Sequence, residues 1–194
     1  MAQRETGTEQ LIKDTAKRIF FSDGKLHATT QDIADAAGVN RTLLNYYFRS
    51  RDILFEQVAT EARAEMSAVM DIVFTAELEF KEKLAQLINV FMDQAMKFPY
   101  REMYVVTELN RSEKSIPEEK KTRIKAFLKE ISAEMEKGKI KKMDPRQFCM
   151  NLFALMAYPL ITNCLNKSIY NVNDGEYLKL MKDRKKLIFE MIYQ

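Results

Sequence analysis

The sequence predicts an all-α fold of about nine helices, and three observations carry that prediction. Only five Gly and four Pro occur in 194 residues, too few for a turn-dense β architecture. Apolar residues recur at three- and four-residue spacing along most of the chain, the period of a helix with one buried face. Hydrophobic residues make up 46% and charged residues 30%, enough apolar surface for a core and too much for a disordered chain. The length suits one or two small domains. No stretch approaches the roughly 18 to 20 uninterrupted apolar residues of a membrane span. The first twenty residues carry charges throughout and lack the apolar block of a secretory signal. A cytoplasmic protein with no membrane partner is expected.

Residues 8–21 set Leu11, Ile12, Thr15, Ala16, Ile19 and Phe20 on one helical face, and Asp23-Gly24 ends the run. Thr29 then opens a short helix through Ala37, because its hydroxyl can accept an orphan amide while Asp32 complements the helix N-terminus. Gly38 closes that helix, and Asn40 caps a second short one reaching about Tyr47. A long helix follows over 51–74, with Leu54, Val58, Ala62, Val69 and Val73 near-aligned. The next, 81–97, aligns Leu84, Leu87, Ile88, Phe91, Met92, Ala95 and Met96. Pro99 marks a break, with a short helix over about Met103 to Asn110. Ser115-Ile116-Pro117-Glu118 reads as a helix start. Its stripe is Ile124, Phe127, Leu128, Ile131 and Met135, and Gly138 suits a left-handed stop. Asp144-Pro145 opens a helix to about Asn166, kinked at Pro159. Asp174-Gly175-Glu176 opens the last, to about Tyr193.

Cysteine and histidine content narrows the chemistry. His27 is the single histidine, in a loop sequence Gly24-Lys25-Leu26-His27-Ala28, so a His-based metal site cannot be assembled, and a Ser–His–Asp triad would have to use His27, which reads as a solvent-facing or loop-packing residue. Cys149 and Cys164 lie 15 residues apart in one apolar segment. On a single helix that spacing separates them by roughly 22 Å, beyond disulfide reach, and both are expected as reduced core thiols. With no Gly-rich phosphate loop and no diagnostic carboxylate pair, an enzyme is not expected, nor a metal or other cofactor.

Residues 29–51 carry the most information. Two short helices joined by a tight Gly-containing turn make a helix-turn-helix unit. Ile33, Ala34, Ala37, Val39, Leu44 and Tyr47 fall where such a unit is apolar, with Ala34 small at the helix crossing. The second helix presents Arg41, Thr42, Asn45 and Tyr46 outward, flanked by Arg49 and Arg51. Such a helix reads base edges in the major groove while Arg, Thr and Tyr hold phosphates.

Thr29-Thr30, Ile33-Ala34, Ala37-Gly38-Val39, Leu44, Tyr46-Tyr47-Phe48, Arg51-Asp52 and Leu54-Phe55 together resemble the N-terminal signature of the TetR family of transcriptional regulators, as do Ala16, Ile19-Phe20 and Gly24 upstream. The resemblance covers about residues 8–56. Gly138-Lys139-Ile140 followed by Asp144-Pro145 is similar to the family's lead into its dimerisation helix. The chain departs from the pattern at Thr42, where the family usually has Gly or Pro, and at Asn45, where Tyr is frequent. The resemblance implies a helix-turn-helix DNA-binding domain over 1–50 and a helical effector-binding and dimerisation domain over 51–194, coupled through the long helix that starts near Arg51. The DNA contacts expected are Thr29, Thr30, Asn40, Arg41, Thr42, Asn45, Tyr46, Tyr47 and Arg51.

Residues 1–51 hold eight Lys or Arg against six Asp or Glu, a net +2. That is too weak a field for one copy to bind DNA by charge alone, so two copies are expected to act together. The helix from 145 is apolar nearly all round, as a helix buried on two sides is. Phe148, Leu152 and Leu155 with Leu180, Leu187, Ile188 and Met191 form the expected homodimer interface. Met92, Met96, Met103 and Tyr104 can face Phe127, Phe153 and Met156, either as a Met-rich core or as an apolar pocket for a small-molecule effector. The reading as a whole is a ligand-responsive repressor on a palindromic double-stranded operator. The alternative is a helical protein–protein adaptor that has lost DNA binding.

Overall fold

A computed structural model describes residues 2–111 and 117–194, and those residues contain ten α-helices and no strand. The helix start expected at Ser115-Ile116 lies outside the described residues. Helix α1, Ala2–Lys17, continues into a single π-helical turn, Arg18–Ser22. The wider turn points three consecutive side chains, Ile19, Phe20 and Phe21, into the core. Leu11, expected on the buried face, is 48% exposed. The capped pair α2, Thr30–Ala37, and α3, Arg41–Phe48, follows, and α4 spans Arg51–Thr75.

The remaining helices are α5, Phe80–Lys97; α6, Pro99–Arg111; α7, Glu118–Glu136; α8, Pro145–Ile161; α9, Asn163–Tyr170; and α10, Asp174–Ile192. Pro99 does more than end α5. It occupies the first position of α6, where its fixed φ is already helical, so α6 begins earlier than the sequence suggested. Helix α5 is the central strut, burying Phe80, Leu84, Leu87, Ile88, Phe91, Met92 and Ala95 against α4, α7, α8 and α10.

Two hydrophobic clusters divide the chain, and they meet within α4. Leu54 through Ala62 join the N-terminal cluster, while Met66, Met70, Val73 and Phe74 join the second. Phe98 packs into the N-terminal cluster and Tyr104 lies against it, so the α5–α6 corner belongs to both regions in space. Ion pairs brace the seams: Lys13 with Glu61 at 2.8 Å and Lys17 with Glu65 tie α1 to α4, and Lys83 with Glu130 at 2.9 Å ties α5 to α7.

The expected single helix from 145 to 166 is two helices, α8 and α9, bent by 73°. Pro159 has no N–H, so the Leu155 carbonyl loses its helical donor, and Arg184 Nε of α10 supplies one at 2.9 Å. The chain then breaks at Thr162, leaving the Pro159 carbonyl to accept from Tyr177 Oη at 2.5 Å and Asn166 Nδ2 at 3.5 Å. Two α10 side chains thus satisfy the carbonyls that the proline and the break leave open, and they clamp α8 to α10. The two cysteines therefore sit on different helices. Cys149 is half-buried and its thiol is pushed up to about 11 by burial, while Cys164 is exposed rather than core.

Candidate nucleic-acid interface and ligand-binding interior

The helix-turn-helix is built by short-range hydrogen bonds. Thr29 Oγ1 accepts from the Asp32 N–H at 3.2 Å, and Asp32 Oδ2 accepts from the Thr29 N–H and hydroxyl, each at 2.8 Å. The backbone bond first, then the hydroxyl, holds the Asp32 carboxyl below the usual carboxylate range. Gly38 turns the chain at φ 67°, and its N–H returns to the Ala34 and Asp35 carbonyls. Only glycine takes that conformation without strain. Asn40 Oδ1 then caps α3 by accepting from the Leu43 N–H at 2.7 Å. Ile33, Ala34, Leu44 and Phe48 are buried beneath the pair.

Of the residues expected to touch DNA, Arg41, Thr42 and Tyr46 stand exposed on one side of α3, with Asn45 half-buried between them. Tyr46 is 73% exposed and meets Tyr47 edge-on at 5.4 Å. Thr29 and Asn40 are exposed but already engaged as caps. Tyr47 is half-buried against the N-terminal cluster. Thr30 is buried, its side chain facing the core at the first position of α2, which turns it away from a phosphate.

Arg51 is placed differently from the phosphate contact the sequence suggested. Its guanidinium turns inward: Nη2 bonds the Leu26 carbonyl, Nε donates to Ala28 O at 3.4 Å, and Nη1 pairs with Asp52 at 3.0 Å. It also lies 4.9 Å over the Phe55 ring and 5.3 Å over Phe20. The physical reason is that two loop carbonyls without helical partners face the start of α4, and a five-donor fork satisfies them. Arg51 latches the loop after α1 to α4. Arg49 is a further cation beside α3. It closes α3 at φ 59°, exposed, in a conformation costly for a residue with a Cβ.

The outer sides of α8, α9 and α10 carry exposed apolar side chains among charged ones such as Lys179, Lys182 and Lys186. Tyr158 on α8, Leu165 and Ile169 on α9, and Leu180, Leu187 and Met191 on α10 are all exposed, Met191 by 68%. A groove of about 500 Å³ runs between α8 and α10 past Leu155 and Met191. Of the expected interface residues, Leu180, Leu187 and Met191 are on this face, and Leu155 is half-buried at its edge. Phe148, Leu152 and Ile188 belong instead to the C-terminal core of their own chain. The cause is simple: each is buried in the cluster that α8 and α10 share with α5 and α7, and an all-round apolar helix does not reveal which side meets which neighbour. Asp144 caps α8, accepting from the Arg146 guanidinium and N–H, and is held down at about 2.

The seven expected effector residues do not surround one cavity. Met92, Phe127 and Met156 are fully packed in the C-terminal core, with Phe153 half-buried against Phe91 at 5.9 Å. Met103 is exposed, and Tyr104 joins the N-terminal cluster, its ring 5.0 Å from Phe55. α6 starts a turn earlier than expected, at Pro99. Met96 does line a cavity, of about 350 Å³, at the α5–α6 corner. Beside it Arg101 is 1% exposed, forked onto Glu102 through Nε at 3.0 Å and Nη2 at 2.9 Å, with Nη1 buried and unpartnered among the described residues. A buried donor left open costs about 1–3 kcal/mol. No periodicity could have found this arginine, because its pairing partner is simply the next residue. Among the described residues no group of three His, Cys, Asp or Glu could hold a metal ion, and no single helix is long and apolar enough to cross a membrane.

The family of bacterial regulatory proteins, tetR family, matches residues 12–58, the segment that folds into the helix-turn-helix and its supports. A comparison with curated proteins finds no match. Among solved structures, a fatty acid degradation regulator, FadR, from Bacillus halodurans is 18% identical with a TM-score of 0.58, covering 93% of this chain and 94% of that one. A transcriptional regulator from Cytophaga hutchinsonii has 17% identity and TM-score 0.58 over 95% of this chain and 98% of its own. A TetR family regulator from Marinobacter aquaeolei has 17% identity and TM-score 0.55 over the full length of both chains. At these identities the likeness is one of fold, across the whole chain. The match thus identifies a tetR-type helix-turn-helix at residues 12–58, and the solved structures share the all-α fold of the whole chain.

Proposed function

We propose that the chain acts as a homodimeric repressor that binds a palindromic operator and is released by a small, largely apolar effector. The observation that carries this reading is the contrast on α3. Arg41, Thr42 and Tyr46 project outward from a helix whose other side is sealed by Leu44 and Phe48. A short, capped helix with a polar outer face suits major-groove docking. The net +2 of residues 1–51 leaves a single head weak, and the exposed apolar face of α8 and α10 suits a second copy. Two heads on one dimer would contact half-sites about 34 to 36 Å apart, or a multiple of a helical turn. Effector binding among the C-terminal helices would shift α4, whose first half belongs to the reading-head core, and change that separation.

Fluorescence anisotropy on DNA carrying the gene's own upstream region tests the reading. Specific binding should exceed that of unrelated DNA by about a thousandfold or more at physiological salt. Affinity equal for both DNAs at every salt concentration overturns it, and would favour the adaptor alternative.

A further inference from the structure

The cavity of about 350 Å³ lies where the reading head meets the C-terminal helices. Its wall joins Ser22, at the end of the α1 π turn, to Met96 and Tyr100 at the α5–α6 corner, and to Leu160, Asn163 and Met181 on α8, α9 and α10. Its size falls at the small end of known ligand sites. Met96, Leu160 and Met181 give one side of it a soft apolar lining that adapts to shape, and Ser22, Asn163 and Tyr177 make the rest of the wall polar. At the rim Lys167 Nζ and Asp174 Oδ1 pair at 2.6 Å, so no unbalanced charge faces the space. The half-buried Asn163 amide lines it with no hydrogen-bond partner among the described residues.

Tyr100 connects this cavity to the helix-turn-helix. Its ring lies so close to Gly24 that a Cβ there would sit 2.6 Å from Cζ and 2.7 Å from both Cε atoms. Its hydroxyl reaches Cys164 Sγ at 3.7 Å. Gly24, at φ 71°, starts the loop into α2, and that loop is pinned by Lys25 N–H to Ile19 O and Ala28 N–H to Lys25 O, each at 3.0 Å. The same loop offers Leu26 and Ala28 carbonyls to the Arg51 latch. No side chain cushions the contact, so displacement of the ring passes directly to the loop backbone.

We propose that this junction cavity is a regulatory site for a compact, neutral molecule with one apolar side and a hydrogen-bonding side, and that Tyr100 transmits its occupancy to the reading head by pressing on Gly24. Asn163 is the group that receives the ligand's hydrogen bond. Tyr100 is a positioning residue that acts through Gly24. The proposal rests on the operator-binding reading only for its DNA readout.

Cys164, exposed and touching Tyr100, offers a tether to the cavity rim. Thiolates react and Cys149 is held protonated by burial, so methanethiosulfonates select Cys164, with Cys149→Ser as a check. The probes are methyl and benzyl methanethiosulfonate, read by anisotropy on the upstream DNA and by amide hydrogen exchange over residues 23–29. The benzyl adduct should weaken DNA binding tenfold or more and speed exchange in the loop, reversibly with dithiothreitol, while the methyl adduct does neither. Tyr100→Phe should respond as the parent does, since the ring is kept, and Tyr100→Ala should label fully without responding. Complete benzyl labelling with loop exchange unchanged overturns the proposal, as does a Tyr100→Ala protein that responds like the parent. Accelerated exchange in a protein that binds no DNA supports the coupling and overturns the operator-binding reading instead.

Discussion

Two surfaces of this molecule are open to solvent in a single chain, and they differ in kind. The outer side of α3 carries Arg41, Thr42, Asn45 and Tyr46 over a sealed core, and every one of those side chains can remain hydrated. The outer sides of α8 and α10 carry Tyr158, Leu180, Leu187 and Met191 over an equally sealed core, where exposure brings no hydration benefit. Contiguous apolar surface of this sort marks an interaction site. The contrast sets a polar, hydrogen-bonding face against one rich in exposed apolar side chains, and the proposed DNA and dimer contacts rest on these two surfaces respectively.

Putting a charge on the apolar face gives the largest effect. Leu187 is 53% exposed, so Leu187→Glu leaves the monomer fold intact yet buries a carboxylate in any dimer, at a cost of several kcal/mol. The expected outcome is a monomer by sedimentation at micromolar concentration, with operator binding lost at concentrations where the parent saturates. A Leu187→Glu dimer that binds normally would remove this face from the assembly.

On the reading-head side, Arg51→Ala and Arg41→Ala separate latch from reader. Loss of the inward bonds of Arg51 should destabilise the protein by about 1.5–3 kcal/mol in denaturant melts. The salt dependence of whatever DNA binding remains should stay unchanged, because no phosphate contact is removed. Arg41→Ala should leave stability within about 0.5 kcal/mol while costing about 1–3 kcal/mol of affinity and relaxing preference at one base pair. Arg49→Gly relieves a positive φ and should raise stability by up to about 1 kcal/mol. If its charge meets a phosphate, the same change lowers the salt slope by about one.

The smallest effect is one in which the two regions behave alike. Asp32 caps α2 and Asp144 caps α8, and both carboxyls are held below their ordinary values. A depressed folded value means the stabilisation is present above the unfolded value, near 3.8, and is lost as pH falls through the folded one, about 2 for Asp144. The melting temperature should therefore be flat from neutrality to about pH 5 and decline below pH 4. Asp144→Asn should flatten the part of the decline between pH 4 and 2. A decline of equal steepness in that variant would assign the acid sensitivity to other carboxylates.

The reading head was legible because its determinants are local. Thr29 with Asp32, Gly38 and Asn40 act across three or four residues, so their spacing alone places α2, the turn and α3. Arg51 escaped the same logic, since the carbonyls of Leu26 and Ala28 lie 25 and 23 residues back and only folding brings them near. The C-terminal half shows the same limit more strongly. The apolar residues of α8 suggested burial on more than one side, but not that Phe148 and Leu152 lie in the chain's own core while Tyr158 faces outward. Pro159 announced a kink, whereas the break at Thr162 depends on Tyr177 and Arg184 arriving from α10 to satisfy the freed carbonyls. Tyr100 on Gly24 and Arg101 on Glu102 have no periodic signature at all.

The central claim is that two polar α3 faces are presented together by one apolar dimer. Hydroxyl-radical footprinting of the upstream DNA tests it most directly. The account predicts two protections of equal strength related by two-fold symmetry, centred about 10 base pairs or a multiple of a helical turn apart, disappearing together in Leu187→Glu. A single protected segment, or two that survive in a monomeric variant, would contradict it.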